Sequence, residues 1–315
     1  MRTFAAYIKN EKLRLESSSG GIFSLLAEYI FSLSGAVYGV AMSENLYCAE
    51  FIRATDEEGL KRIRGSKYLQ ARTGNVYQSA KMDLDAGKSV LFSGTPCQVN
   101  GLKGFLQKDY PNLLCVDVIC HGVPSLALWR KYVCHEEALY GKLESVNFRC
   151  KNNSWNNFGI KENEVYSSKD INPYMQMFLR NYSLRPSCYK CTAKQFKMSD
   201  ITLGDFWGIN FVAPQMNDGK GTAIIIVRTK KGQAIIDERK MHMKIKEVSY
   251  KKAVRGNPSE CRSVDRPEHR NIFFKDMVQL TFDELSKKYA SPVKMGIKAS
   301  VKHALEKFGA DRPKT

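Results

Sequence analysis

Apolar and polar positions follow two different periods in the first half of the chain. "IFSLLAEYIFSL" (22–33) has apolar residues at helical spacing, whereas "GAVYGVAM" (35–42) is a short apolar run that predicts a buried strand. The runs "KSVLFSG" (88–94) and "NLLCVDVIC" (112–120) also predict strands, and a helical pattern follows each of them. Strands that alternate with helices of this length indicate βαβ units and a mainly parallel sheet.

The same patterns place further elements along the chain. Helices are predicted over 55–64, 73–87, 98–110, 125–140, 172–182 and 231–242, and strands over 200–206 and 222–229. Thr73 is the candidate N-cap of its helix. Polar segments between 150 and 170 indicate an excursion or a domain boundary. We therefore expect an α/β fold with a mainly parallel or mixed sheet, flanking helices and a smaller C-terminal α+β part.

This organisation predicts that the chain is divided into three segments. An α/β domain is expected over 1–150, a region containing a cysteine pair over 151–250, and a basic helical tail over 251–315. The end of the tail, 293–315, predicts a basic amphipathic helix. Such a helix is either solvated or docked on a partner or a membrane surface.

Composition is that of a globular protein with a sizeable core. The 315 residues are 43% hydrophobic and 26% charged. No apolar stretch is long enough to span a membrane and the N-terminus has no signal-peptide pattern, so a cytoplasmic location is expected. Cytosolic thiols stay reduced, so the nine cysteines are interpreted as core residues, ligands or nucleophiles instead of disulfides.

The formal charge of +17 points to an anionic partner. The chain has no helix-turn-helix, zinc-finger or RNA-binding sheet pattern, and its basic residues are dispersed, which argues against nucleic acid. An acidic membrane surface, an acidic protein partner and anionic cofactors remain as candidate partners.

Four cysteines lie where a sheet binds ligands. Cys97 and Cys120 each follow an apolar strand, and Cys188 and Cys191 form a CxxC pair in "RPSCYKC". The carboxyl ends of parallel strands meet at one edge of a sheet, which can bring these thiols together. Four thiols suit one 4Fe–4S cluster or a structural zinc ion. The residues alone also allow buried cysteines beside an incidental CxxC.

Another interpretation makes Cys97 a nucleophile with His121 as its base, although no orienting acid is recognisable. The isolated cysteines are predicted to be buried or surface thiols: Cys48, Cys115, Cys134, Cys150 and Cys261.

Serines and glycines before the first long helix predict an anion site. "SSSGG" (17–21) offers hydroxyls and free backbone N–H groups, which form either a phosphate-binding site or an ordinary N-cap. "RGSKYLQA" (64–71) adds Arg64, Ser66 and Lys67 beside the aromatic ring of Tyr68, which suits the pyrophosphate and ring of a dinucleotide. Asp205, in "GDFWG", is predicted to be polar lining at a strand end. No GxGxxG follows a strand, so a standard NAD site is not supported.

Four motifs in order resemble one family. "FSGTPCQVNGLKGFL", "VICHGVPS", "RPSCYKC" and "SDITLGDFWG" are similar to the beta subunit of coenzyme F420 hydrogenase/dehydrogenase, over about residues 5–240. The resemblance implies an oxidoreductase that carries FAD and a 4Fe–4S cluster. It implies Cys97, Cys120, Cys188 and Cys191 as cluster ligands, and Ser18, Ser19, Gly20, Gly21, Ser66, Lys67, Gly94 and Thr95 as flavin contacts, with Asp205 lining the site.

The resemblance also implies a mechanism and partners. Hydride passes between FAD and a carrier such as F420, and single electrons pass through the cluster to a ferredoxin or a partner redox subunit. His121 then donates a hydrogen bond to a cluster sulfur or shuttles a proton, unless it only fixes its loop. Many relatives begin with a ferredoxin-like segment, whereas this chain has no cysteine before Cys48. We therefore expect a separate ferredoxin, or a truncated form of the gene.

Some members of the family are encoded beside enzymes of surface-polysaccharide synthesis, which gives a candidate context. Two alternatives remain at this stage. One is a non-catalytic electron-transfer or scaffold subunit, and the other is a zinc-stabilised protein without redox function.

Overall fold

The strands of the protein form two sheets. A computed structural model describes residues 1–151, 155 and 157–290. Within these ranges the strands are β1 (Arg2–Ile8), β2 (Ala36–Met42), β3 (Ala49–Ala54), β4 (Ala71–Arg72), β5 (Val90–Gly94), β6 (Leu113–Val118), β7 (Val146–Cys150), β8 (Gly159–Glu162), β9 (Val165–Ser168), β10 (Ile201–Asp205), β11 (Ala223–Val227) and β12 (Met243–Glu247).

Helices connect and cover these strands. In the same ranges they are α1 (Glu11–Glu16), α2 (Ile22–Ser32), α3 (Glu57–Ile63), α4 (Val76–Asp85), α5 (Pro96–Leu106), α6 (Leu126–Tyr140), α7 (Pro173–Leu179), α8 (Ile209–Val212), α9 (Lys230–Arg239), α10 (Tyr250–Ala253), α11 (Arg270–Gln279) and α12 (Phe282–Tyr289). Short 3₁₀ turns at Pro186–Lys190 and Thr192–Lys194 carry part of the site described below.

The larger sheet is mixed, with the order β12-β1-β11-β10-β6-β5-β2-β3-β4. Its centre is parallel, since β2 pairs with β5, β5 with β6 and β6 with β10 in that sense. Antiparallel pairs flank the centre, with β1 between β11 and β12. The expected α/β class with a mixed sheet and flanking helices is confirmed, and the parallel arrangement holds at the centre.

Helices cover both faces of the central strands, which is why these strands read as continuous apolar runs. On one face Leu26 of α2 belongs to the same core cluster as Leu91 and Leu114. On the other face Leu102 of α5 belongs to a cluster with Phe92. The ends of β5, β6 and β10 are thereby fixed at one edge of the sheet.

Some elements differ from the expectation. The sequence patterns did not indicate β1, β3 or β12, which complete the flanks of the sheet. The assignment of Thr73 as an N-cap is wrong, because α4 begins at Val76 with Asn75 at its N-cap.

The polar segment after residue 150 includes part of a three-stranded sheet, β7-β8-β9. Its residues Phe148 and Ile160 share a core cluster with Trp129 of α6, Tyr174 of α7 and Phe273 of α11. The apolar side chains of this small sheet therefore pack against helices from both halves of the chain. The domain boundaries at 150 and 250 stay predictions.

Two expectations concern membranes. Across the described ranges, every helix is too short or too polar to cross a bilayer. The predicted amphipathic helix of 293–315 lies outside the described residues.

Candidate functional site

A cavity of about 1210 Å³ opens at the carboxyl ends of β5, β6 and β10. Every site residue predicted from the sequence lies on its wall: Ser18, Ser19, Gly20, Gly21, Ser66, Lys67, Gly94, Thr95, Cys97, Cys120, His121, Cys188, Cys191 and Asp205. Typical ligand pockets measure about 300–1,000 Å³. The cavity therefore has room for a cofactor and part of a second molecule.

Three loops bring four thiols to this cavity. Cys97 is the second residue of α5, directly after β5, and Cys120 follows the end of β6. Cys188 lies in a 3₁₀ turn, and Cys191 ends it. A Cβ atom at Gly122 would lie 3.4 Å from the Cβ of Cys188, so the loop after β6 touches the CxxC segment.

The thiols influence one another electrostatically. The pKa of Cys120 is raised to about 12, mainly by burial and to a smaller extent by the neighbouring Cys188, Cys97 and Cys191, against the opposing charge of Lys194. Burial also raises the pKa of Cys188. Without a bound cation both thiols are protonated at neutral pH, whereas coordination to a metal removes such protons.

Two kinds of metal centre make different demands on these donors. Among the described residues, no group of three or more His, Cys, Asp or Glu side chains is arranged to hold a metal ion. A zinc ion would need four sulfurs at about 2.3 Å from one point. An iron–sulfur cluster is bound at several iron atoms, so its cysteine ligands spread around a larger centre. The four thiols that line the cavity are the ligand type that an iron–sulfur cluster requires.

His121 follows Cys120 in the chain, and its side chain contacts the end of the helix α7. Its Nε2 is 2.7 Å from Oδ1 of Asn181, and its ring meets Phe178 edge-on at 5.3 Å between centroids. Burial lowers the pKa of His121, although the hydrogen bond with Asn181 partly opposes this. The imidazole is therefore mainly neutral at pH 7 and its orientation is fixed.

The turn that contains Gly20 and Gly21 packs closely against the sheet. A Cβ atom at Gly20 would lie 2.4 Å from the backbone oxygen of Ala6 and 2.8 Å from the nitrogen of Ala223. Gly21 has a φ of +81° and stands at the N-cap of α2 without a side-chain cap. Both glycines are thus required by the fold, and the uncapped start of α2 faces the cavity.

Ser18 and Ser66 join two segments of the wall. The backbone N–H of Ser66 donates to Oγ of Ser18 at 2.9 Å, and the two hydroxyls are 3.1 Å apart. Ser19 is instead engaged with the sheet, since its hydroxyl donates to the carbonyl of Thr222 at 3.0 Å. The hydroxyls of Ser18 and Ser66 are therefore the ones paired at the cavity wall.

The ammonium group of Lys67 donates to backbone carbonyls at the end of α3, including those of Ile63 at 2.6 Å and Arg64 at 2.8 Å. Burial lowers the pKa of this lysine to about 7. It caps a helix end, and its role as a flavin contact stays a prediction.

A second cavity of about 530 Å³ shares Ser18, Ser66 and Lys67 with the first. Arg149 and Lys151 also line it. The Lys151 ammonium donates to the carbonyls of Arg14 and Ser19, at 3.0 Å each, and burial lowers its pKa to about 8. Basic side chains therefore outnumber acidic ones around this second space, although burial favours the neutral forms of Lys67 and Lys151.

Gly94 and Thr95 form the turn into α5. The N–H of Thr95 donates to Oε1 of Gln98 at 2.9 Å within a capping box. The Thr95 hydroxyl lies 3.2 Å from the sulfur of Cys97. The cap therefore fixes the helix start that presents Cys97.

Asp205 lines the cavity as expected, and Phe206 is core. The sequence reasoning missed Arg149, whose Nη2 lies 2.8 Å from Oδ2 of Asp205. It also missed Phe158, which lines the cavity with Trp207. Nothing in the polar segment around these residues indicated a site.

Comparisons with known proteins give consistent matches. Two family models described as coenzyme F420 hydrogenase/dehydrogenase, beta subunit, match the chain: the N-terminal model over residues 3–77 and the C-terminal model over residues 87–253. A chain of the xenon-derivatised F420-reducing NiFe hydrogenase complex from Methanosarcina barkeri is similar, with a TM-score of 0.58 and 15% identity, over 95% of this chain and 94% of that one. That likeness shows the fold. Among curated proteins, none matches the chain.

Proposed function

Since the chain belongs to the coenzyme F420 hydrogenase/dehydrogenase beta subunit family, we propose that it is a flavin- and 4Fe–4S-dependent oxidoreductase. It passes electrons between a hydride carrier, F420 or a similar molecule, and a ferredoxin or partner redox subunit in the cytoplasm. The observation that carries the proposal is that four thiols from three loops line the same cavity as the uncapped start of α2.

The thiols supply the metal ligands. Cys97, Cys120, Cys188 and Cys191 would hold the cluster, because soft thiolates suit iron and sulfide. Burial keeps Cys120 and Cys188 protonated when they are free. Loading of iron therefore releases protons and is favoured as pH rises.

The wall next to the thiols would bind the flavin. When bound, FAD exchanges hydride with a carrier and single electrons with a cluster. Backbone N–H groups at the start of α2 and the hydroxyls of Ser18 and Ser66 suit the phosphates. An anion in the adjoining cavity would in turn stabilise the protonated forms of Lys67 and Lys151, whose pKa values burial lowers.

Aromatic side chains that line the same cavity would orient a planar ring. Tyr68, Phe158 and Trp207 line the cavity, and Asp205 lies beside them, held by Arg149. Stacking on such faces excludes water from the reacting side of a ring. These residues orient ligands, and none of them exchanges electrons in this proposal.

His121 would handle a proton. Its lowered pKa leaves the imidazole neutral at pH 7, so that it can accept a proton beside the thiols. Asn181 holds the ring through Nε2. An exposed Cys97 places one thiol near the surface, where an acidic electron carrier would be attracted by the net charge of +17.

The test is anaerobic purification and reconstitution, followed by quantitation of iron, sulfide and flavin for each chain. We expect four irons, four sulfides and one FAD for each chain, as required by one bound 4Fe–4S cluster and one flavin. Reduction is then tried with reduced F420, NAD(P)H and reduced ferredoxin. Flavin bleaching by at least one hydride carrier is the expected result.

The same measurement separates the alternatives. A cluster without flavin would indicate an electron-transfer or scaffold subunit. A colourless protein that holds zinc would overturn both redox assignments.

A further inference from the structure

Lys194 is a buried cation next to the cysteine loops. Its residue is 5% exposed, and it ends the 3₁₀ turn that follows Cys191. Its ammonium donates to the carbonyl of Arg262 at 2.9 Å and lies 3.5 Å from the carbonyl of His121, the neighbour of Cys120. The side chain is thus held between the CxxC loop and the loop after β6.

Within the described part of the chain, Lys194 forms no ion pair with a carboxylate. Lys197, three residues later, provides the contrast, since its Nζ lies 3.0 Å from Oε1 of Glu260. The thiols of Cys120, Cys191 and Cys188 act electrostatically on Lys194, and burial together with the charge of Lys197 lowers its pKa against their influence. A buried charge without a counter-charge is costly, so the lysine needs an anion at this place.

We propose that Lys194 is the counter-cation of the cysteine donor set, and that it raises the reduction potential of the cluster held there. This inference rests on the proposed function, because it requires a cluster at these cysteines. Lys194 is a positioning residue, since it acts on the metal centre through its charge and binds no iron itself.

The sign follows from the charge of the two redox states. Reduction adds one electron to a centre that four thiolates have already made negative. A fixed positive charge nearby stabilises the reduced state more than the oxidised state, and burial weakens the screening by solvent. Two carbonyl contacts hold the ammonium in place, so its charge cannot move out to water.

The experiment separates the effect of the positive charge of Lys194 from the effect of its hydrogen bonds. Lys194→Gln removes the charge and keeps an N–H donor, whereas Lys194→Arg keeps both. Lys190→Gln is the matched control, because Lys190 lies in the same loop and is exposed. Each reconstituted protein is titrated anaerobically with dithionite, which supplies the electron, and the reduced cluster is followed by EPR.

We expect Lys194→Gln to lower the reduced-to-oxidised ratio at a fixed potential about tenfold, a shift of about 59 mV for one electron. Lys194→Arg should retain the wild-type potential, and Lys190→Gln should change it much less. An unchanged potential in Lys194→Gln, or an equal shift in Lys190→Gln, would overturn the inference.

If Lys194→Gln binds no cluster, its potential cannot be measured, and iron content becomes the readout. If Lys194→Arg then still binds iron with the wild-type potential, the charge is needed for the donor set and the inference stands, whereas a shifted potential in Lys194→Arg overturns it. If both variants fold, by circular dichroism, but bind no iron, the lysine is structural and the inference fails. A wild-type protein without iron would instead refute the proposed function.

Discussion

Arg149, which lines the second cavity, forms an ion pair with Asp205, which lines the larger one. The Nη2 and Nε atoms of Arg149 lie 2.8 Å and 3.3 Å from Oδ2 of Asp205. The arginine side chain is 1% exposed, and its guanidinium carbon lies 3.7 Å from the ring centroid of Phe158. This pair fastens the small sheet, through β7, to the end of β10.

Asp205→Asn should destabilise the fold, because it leaves the buried guanidinium of Arg149 without its counter-charge. Loss of one partner of a buried pair costs about 3–5 kcal/mol. Urea denaturation measures the free energy of unfolding. The control is Glu247→Gln, which breaks the exposed pair with Arg2 and should leave that free energy nearly unchanged. Equal effects from both variants would contradict the importance of burial here.

Cys188→Ser should lower the iron bound after reconstitution, since it removes one proposed ligand on the cavity wall. Cys261→Ser is the control, because that thiol is exposed and outside the cavity. Iron and sulfide are measured for each chain. Wild-type iron in Cys188→Ser would remove this cysteine from the ligand set.

Gly20→Ala should destabilise the protein by about 1–3 kcal/mol, as expected for overpacking. The added methyl group meets the backbone of Ala6 and Ala223, and neither atom belongs to a movable side chain. The displaced turn should also bind less flavin. Gly104→Ala in α5 is the opposite case, because the space around it is open, and it should stabilise by about 0.5–1 kcal/mol. Thermal denaturation of both variants gives the comparison, and a stabilised Gly20→Ala would contradict it.

The pKa of Asp117 predicts how the stability of the protein depends on pH. Burial raises its pKa from 3.8 to about 6, although Thr202, Arg228 and Lys197 partly oppose the rise. Between these two values the native state binds a proton that the unfolded state has lost. The contribution of Asp117 to stability is therefore present below about pH 4 and is lost as pH rises through 6.

The matching measurement compares wild type with Asp117→Asn by urea denaturation from pH 4 to pH 7. The stability of wild type relative to the variant should fall by about 3 kcal/mol over this range, because the variant has no group to titrate there. A difference that does not vary with pH would show that Asp117 is ionised in the native protein throughout.

The position of two thiols follows from the sequence. Cys97 and Cys120 come directly after apolar runs, and neighbouring parallel strands end at the same edge of a sheet. The structure pairs β5 with β6, with Gly94 opposite Asp117, and places both cysteines on one wall. A local pattern and one topological rule were enough here.

The position of the CxxC pair needed more than the sequence. It depends on the contact between the loop at Gly122 and Cys188, which are far apart in the chain. Arg149 was missed for a similar reason, since its significance depends on Asp205 in a different sheet. Neither relationship leaves a periodic signal in the sequence.

Lys67 shows the limit of reasoning from residue type. A lysine beside a serine and an aromatic ring suits a phosphate, but its ammonium donates to carbonyls at the end of α3. Lys67 lies at the cavity as predicted, but the direction of its side chain is set by hydrogen bonds to the end of α3. Side-chain direction of this kind depends on the folded backbone, which the motif did not specify.

The spread of the four thiols along the chain has a consequence for biosynthesis. On the proposed ligand set, the donors are complete only when the ribosome has released residue 191 of 315. The strand β10, which seats the CxxC segment beside β6, comes later still. On this ligand set, the cluster site would form only after β10 has been synthesised, and a nascent chain that stalls earlier would present unliganded thiols to the cell.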